Sequence, residues 1–311
     1  MADKELRESI LRKILLLDDQ LNSRQEASLS ELPRYSRWIH RMLGIDEFAE
    51  LQKTKSEILR EYDRDKWGEL LRRFHEKPWQ SLRDFNLYYT STQNGSSAPH
   101  VWRNKLLVMD QVEYLELREQ LTAQVLSLYF PVETIVELGC GPGFVLLNLA
   151  NRKEFRETNF VGGELSPNGV EVTNALAKAF NLNVKAALFD FLLQEELELE
   201  IPEDALIFTS FALVCIPRIS PNLIHYLVAQ KPKAVIHFEP TYSSKDSSDL
   251  MSLLQRRYIE INDYNTNLLD VLEELERQQV IQILFYETNL IGDNPFLPAS
   301  LIVWTPCSNK S

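Results

Sequence analysis

Cysteine is scarce in this chain. Its 311 residues hold three, Cys140, Cys215 and Cys307, far apart and odd in number. That excludes a disulfide framework, and no Cys/His spacing suits a metal, so no metal site is expected. No apolar run approaches the ~20 residues of a membrane span. The opening Met1-Ala-Asp-Lys-Glu-Leu-Arg lacks the apolar stretch of a secretory signal, and a cytoplasmic location is expected. Positive charge is in deficit: 33 Lys and Arg face 45 Asp and Glu, a formal net charge of −12. The basic footprint of a nucleic-acid binder is therefore missing, and neither nucleic acid nor membrane is an expected partner. Part of the acidity sits in Glu195-Glu-Leu-Glu-Leu-Glu200, which reads as a solvated face.

What is present suits a globular protein. Hydrophobic residues make up 44% of the chain, enough for a full core. Residues 1 to about 85 read as helical: Leu6, Ile10, Leu11, Ile14, Leu15 and Leu17 recur at helical spacing, and Trp67, Leu70 and Leu71 continue the pattern. Residues 86–105, with Gly95 and Pro99, read as an aromatic-rich loop. A helix is expected from about Leu106 to Tyr129, ending before Pro131. Beyond Glu133 short β-branched runs alternate with helical segments, the pattern of a parallel sheet covered on both faces. A long helix is expected over about 248–278, and the runs Val280–Tyr286 and Ser300–Trp304 are expected to pair as an antiparallel edge hairpin. The domain reading is a helical N-terminal cap or lid region over 1–105 and an α/β domain over 106–311.

The strongest motif is Val136-Glu-Leu-Gly-Cys-Gly-Pro-Gly-Phe144, between an apolar strand and a helix. Glycines let a chain turn tightly and bring its N–H groups against a ligand. A dinucleotide fingerprint would need a third glycine at 144, where Phe144 stands. The observed spacing is Gly139, Gly141 and Gly143, with Glu137 two residues ahead.

This motif resembles that of the class I S-adenosylmethionine (SAM)-dependent methyltransferases, an acid followed by G-x-G-x-G. The resemblance covers about residues 130–305 and implies a Rossmann-like, doubly wound α/β fold. Its sheet would be mostly parallel and seven-stranded, with the helical N-terminal region outside it. It implies SAM as cofactor, with Glu137, Gly139, Cys140, Gly141 and Gly143 around the methionine portion. Glu164, followed by Leu165 at the end of the second strand, would accept both ribose hydroxyls. Asp190, with Phe191 after the third strand, would meet the adenine. Ser210 and Phe211 at the end of the fourth would line the pocket. A narrower likeness in the last 70 residues is to sugar O-methyltransferases and natural-product tailoring methyltransferases. That likeness, carried by Phe238-Glu-Pro, Asp263-Tyr-Asn and Asn289 to Trp304, does not fix a substrate; the leading expectation is an oxygen, less so a nitrogen, of a small molecule such as a sugar or secondary metabolite. A peptide or protein acceptor, and a non-catalytic SAM-binding or scaffold role, are the competing readings, and a homodimer is left open.

Candidates for acceptor chemistry lie at strand ends. In Ile236-His-Phe-Glu-Pro, alternation points His237 and Glu239 to one face. Glu239 reads equally as a base and as a cap; His237 reads as a core histidine or a substrate contact. Tyr264 and Asn265 open an amphipathic run and suit packing, capping or substrate contact. In the 88–105 loop, Tyr88 or Tyr89 is expected to contact the methionine carboxylate, and His100, Trp102, Arg103 and Lys105 supply donors for a lid.

Overall fold

A computed structural model describes residues 2–48, 54–91, 97–193, 198–242 and 248–307. The N-terminal part is mainly helical: α1 (Ala2–Leu21), α2 (Trp38–Met42), α3 (Lys55–Leu59), α4 (Gly68–Glu76) and α5 (Leu82–Ser91). Thr54 starts α3 with a capping box, accepting from the Glu57 N–H while the Glu57 carboxylate accepts from the Thr54 N–H. A π-helical stretch, Arg60–Trp67, joins α3 to α4.

The expected 86–105 loop is a different object. Its first residues end α5. Then β1 (Ala98–Trp102) and β2 (Lys105–Met109) form a two-stranded hairpin with Trp102 opposite Lys105. Gly95 lies outside the described residues. The helix expected from 106 starts later: Asp110 caps α6 (Gln111–Ser127) by accepting from the Glu113 N–H. A boundary at 105/106 thus falls inside β2, and chain from both sides shares one sheet.

The alternating part follows: β3 (Thr134–Leu138), α7 (Phe144–Ala150), β4 (Asn159–Glu164), α8 (Pro167–Ala179), β5 (Val184–Leu188), β6 (Leu206–Ser210), α9 (Pro221–Ala229) and β7 (Ala234–Glu239). Strands β3 and β7 are buried along their whole length, as parallel strands covered on both faces must be. The helix expected over 248–278 is two, α10 (Leu250–Ile261) and α11 (Leu268–Arg277), parted at Asp263 with its positive φ of 50°. Last come β8 (Ile281–Gly292) and β9 (Ala299–Pro306), paired antiparallel.

Among the described residues the sheet has nine strands, not seven, in the order β2-β1-β8-β9-β7-β6-β3-β4-β5. Strands β3 to β7 are parallel and β8, β9 and the N-terminal hairpin antiparallel to their neighbours. The β8–β9 pair is therefore not the edge, because β1 covers β8. One apolar core, with α6, α7 and α8, lies against one face, and a second, with α9 and α11, against the other. The chain builds outward from β3 to β5, then returns to place β6 on β3's other side. That reversal opens a crevice at the carboxyl end of β3, where ligands of open α/β sheets bind.

Candidate functional site

The glycine turn fills that crevice. Gly139 and Cys140 both donate their N–H to the Gly163 carbonyl of β4, at 2.7 and 3.1 Å. Gly139 has φ +77°, and a Cβ there would stand 2.3 Å from the Ala212 Cβ. Gly143 has φ +76°, and a Cβ there would stand 2.7 Å from Thr173 Cγ2. At both positions conformation and space demand glycine. The turn walls a cavity of about 250 Å³.

Three acids from successive strands reach it. Glu137 is 2% exposed, and its Oε2 has no hydrogen-bond partner. Burial first, then the Glu164 charge, pushes its pKa up to about 8, against the pull of the Arg118 guanidinium. Glu164 accepts from the Gly141 N–H at 2.8 Å through one oxygen and from the Ser166 N–H at 3.0 Å through the other. A carboxylate has about four acceptor positions, so two stay available. Burial raises its pKa, and the backbone N–H groups of Ser166, Gly141 and Leu165 oppose the shift. Asp190 accepts from the Leu192 N–H at 2.9 Å and pairs with Lys55 Nζ at 2.9 Å.

Cys140, Leu165, Phe191, Ser210 and Phe211 also line the cavity. Ser210 Oγ is buried and has no partner. Tyr89 lines it too, stacked on Phe144 with ring centroids 4.5 Å apart. Tyr88 turns away, packing on Trp79 at 5.1 Å and under Arg73.

The four residues nominated for acceptor chemistry are absent from the cavity walls. Glu239 is fully buried and accepts from the N–H groups of Ala212, Leu213 and Val214 at 2.9, 3.1 and 3.2 Å. It fixes the turn after β6 instead of facing a substrate. Asn265 Oδ1 accepts from the Asn267 and Leu268 N–H groups, holding the start of α11. Tyr264 packs on Tyr258, centroids 6.0 Å apart. His237 is fully buried: Trp304 Nε1 donates to its Nε2 at 3.0 Å, so its Nδ1 carries the proton and donates to Thr209 Oγ1 at 3.0 Å. Burial lowers its pKa to about 3, so the ring is a neutral core group. Replacing His237 by Leu strands two buried polar groups. It is expected to cost about 2–5 kcal/mol in chemical denaturation and to leave ligand affinity at the glycine turn unchanged.

Of the described residues in the 88–105 stretch, only Tyr89 is among the cavity walls. Trp102 is buried, and Arg103 pairs with Asp18 and Glu287, so the hairpin is fastened to α1 and β8. The chain over the cavity is 54–67, through Lys55, Ile58, Leu59, Tyr62 and Trp67. Asp63 fastens it by accepting from Ser166 Oγ at 2.7 Å and the Asn168 N–H at 2.9 Å, at the start of α8. Sequence reading missed this segment and Arg118, a cavity wall on α6. The one signal was Tyr62 and Trp67 inside a charged stretch, and π-helical turns are frequent at functional sites.

Among the described residues no helix is long and apolar enough to cross a membrane, and no cluster of His, Cys, Asp and Glu suits a metal. No protein-family model matches the sequence, and no curated protein matches it. Solved structures do. The [4+2]-cyclase SpnF superposes with a TM-score of 0.50 and 11% identity, over 84% of this chain and 99% of its own. The magnesium protoporphyrin IX methyltransferase ChlM from Synechocystis PCC 6803, with bound SAM, gives 0.47 and 10%, over 84% and 100%. A SAM-dependent methyltransferase from Aquifex aeolicus gives 0.41 and 14%, over 60% and 88%. With its parallel strands β3 to β7 and the glycine turn at their switch point, the chain has a Rossmann-like, mostly parallel doubly wound α/β fold, which it shares with SpnF.

Proposed function

We propose that the chain is a SAM-dependent methyltransferase that methylates an oxygen of a small molecule, a sugar or secondary metabolite. The observation that carries this reading is the convergence of Glu137, Glu164 and Asp190 with the glycine turn on one cavity. The residues fit SAM. The orphaned Oε2 of Glu137 suits the methionine ammonium, and Arg118 on the same wall suits its carboxylate. The two spare acceptor positions of Glu164 suit the ribose hydroxyls, and Asp190 beside Phe191 suits the adenine amine and ring. Bound SAM would supply the electrophilic methyl; the protein's part is to orient it and exclude water. The segment 54–67 over the cavity supports a small acceptor over an extended peptide.

Fold alone does not fix a reaction. The test is to incubate the protein with methyl-labelled SAM and a set of hydroxylated small molecules. Label is expected in an O-methyl product together with S-adenosylhomocysteine (SAH). Label on a peptide would select the competing acceptor class. SAM that binds but is never consumed would contradict the enzyme reading and favour a SAM-binding scaffold.

Lys55 occupies the acid assigned to the adenine amine. Replacing Lys55 by Met frees Asp190, and a partly exposed pair of this kind contributes about 0–1 kcal/mol. SAH affinity by calorimetry is therefore expected to rise about two- to fivefold. A fall would show that Lys55 helps hold the ligand.

A further inference from the structure

Part of the cavity wall has no task in holding SAM. Strands β4 and β5, which lead to Glu164 and Asp190, stand on one side of β3 and its glycine turn, and β6 stands on the other. The chain after β6 adds Cys215 and Ile216 to the walls. The segment 54–67 spans both sides. Lys55 Nζ meets Asp190 at 2.9 Å, and the Tyr62 hydroxyl lies 3.6 Å from Cys215 Sγ. Ile58 and Leu59, between these two in sequence, also line the cavity, and Trp67 stands against the glycine turn, its ring 3.1 Å from where a Gly141 Cβ would be.

These walls are mainly apolar. Ile58, Leu59 and Ile216 offer no side-chain hydrogen bond, and Trp67 offers an indole face with one donor. The other polar atoms are the Tyr62 hydroxyl and the Cys215 thiol. A thiol is a weak partner, so the hydroxyl keeps capacity for a ligand. Cys215 beside it, then burial, pushes the Tyr62 pKa up, so Tyr62 is a neutral phenol that can both donate and accept. A sugar carries hydroxyls around its ring, and each one held against these walls without a partner costs about five- to a hundredfold in affinity. A flat aromatic ring instead buries its faces on Trp67 and the aliphatic walls, and a single hydroxyl on it answers Tyr62.

The acidity of the acceptor points the same way. Among the described residues no histidine lines the cavity, its carboxylates Glu137, Glu164 and Asp190 are assigned to the cofactor, and Lys55 is paired with Asp190. An alcohol acceptor depends on a base to take its proton, whereas a phenol ionises unaided at about pH 10, as tyrosine does. We infer that Tyr62, with Ile58, Leu59, Trp67, Cys215 and Ile216, forms the acceptor subsite, and that it takes a planar aromatic compound bearing a hydroxyl, not a sugar. This rests on the SAM reading above and selects within its acceptor class.

The experiment is saturation-transfer NMR on the full chain saturated with SAH, which keeps the probes out of the cofactor's place. The probes are 2-naphthol and methyl β-D-glucopyranoside, each titrated over the same concentrations. The wild type is compared with Tyr62→Phe, which removes one hydroxyl, and Ile58→Asn, which puts an amide on the apolar wall, and SAH affinity is measured for each. The wild type is expected to bind 2-naphthol at least about tenfold more tightly than the glucoside. Tyr62→Phe is expected to lose about three- to tenfold of that affinity, the share of one neutral hydrogen bond. Ile58→Asn is expected to lose at least as much, and both variants to keep wild-type SAH affinity. Equal or tighter binding of the glucoside overturns the proposal alone, as does failure of 2-naphthol to bind the SAH complex, or wild-type affinity for it in either variant. Absence of SAH binding by the wild type overturns the cofactor reading, and the proposal with it.

Discussion

Replacing Glu164 by Ala should weaken SAM and SAH binding about 100- to 1000-fold. The carboxylate sits at the end of β4 with one oxygen on the Gly141 N–H and the other on the Ser166 N–H. Its remaining acceptor positions are the ones assigned to the ribose hydroxyls. Hydrogen bonds to a charged acceptor contribute about 1.5–3 kcal/mol each, and losing two at about 1.5–2 kcal/mol each, the lower part of that span, gives the stated range. The same change frees two backbone donors at the turn, so the glycine loop loses its anchor as well as its ligand contact. Glu164→Gln keeps one carbonyl oxygen and should lose less. Calorimetry with SAH measures both variants; a loss below tenfold for Glu164→Ala would remove Glu164 from the site.

Glu137 should make binding pH-dependent. Its pKa is pushed up to about 8 by burial, so it is protonated at pH 7 in the free protein. The methionine ammonium favours the carboxylate form. Binding at pH 7 should therefore release close to one proton, and affinity should rise up to about tenfold per pH unit between pH 6 and 8. Calorimetry in buffers of different ionisation enthalpy reads the proton directly. Glu137→Gln should abolish both the release and the slope and weaken binding about 30- to 150-fold, a loss of about 2–3 kcal/mol. The sign for folding is the reverse. The folded pKa lies above the ordinary 4.5, so from pH 4.5 to 8 the folded protein keeps a proton that the unfolded chain has released. Stability of the unliganded protein should fall as pH rises through that window, and Glu239, pushed up to about 7, adds the same trend from 4.5 to 7.

The glycine turn and the three acids that share its cavity were readable because their determinants are local. A glycine at φ +77° and an acid at a strand end are tied to their place in the chain, so motif and spacing carry them. The five parallel strands were readable because their apolar runs are short and punctuated. The β1–β2 hairpin was not. Its turn uses Arg103 and Asn104, both at positive φ (47° and 65°), where an Asn-Gly pair would be the usual signal. What holds that turn is distant: the Arg103 N–H donates to the Leu290 carbonyl, and the Asn289 side-chain amide donates to Asn104 Oδ1. The tasks of Glu239 and His237 were hidden for the same reason. Each is decided by partners 25 to 67 residues away, which no local pattern records. The placing of segment 54–67 at the cavity belongs to the same class, since Lys55 meets Asp190 across 135 positions.

A crystal structure with SAH tests the central claim most directly. The account predicts its ribose hydroxyls on the Glu164 carboxylate, its adenine amine beside Asp190 and its amino group on Glu137 Oε2, with 54–67 over the ligand. SAH bound away from the glycine turn, or NAD bound in its place, would contradict it.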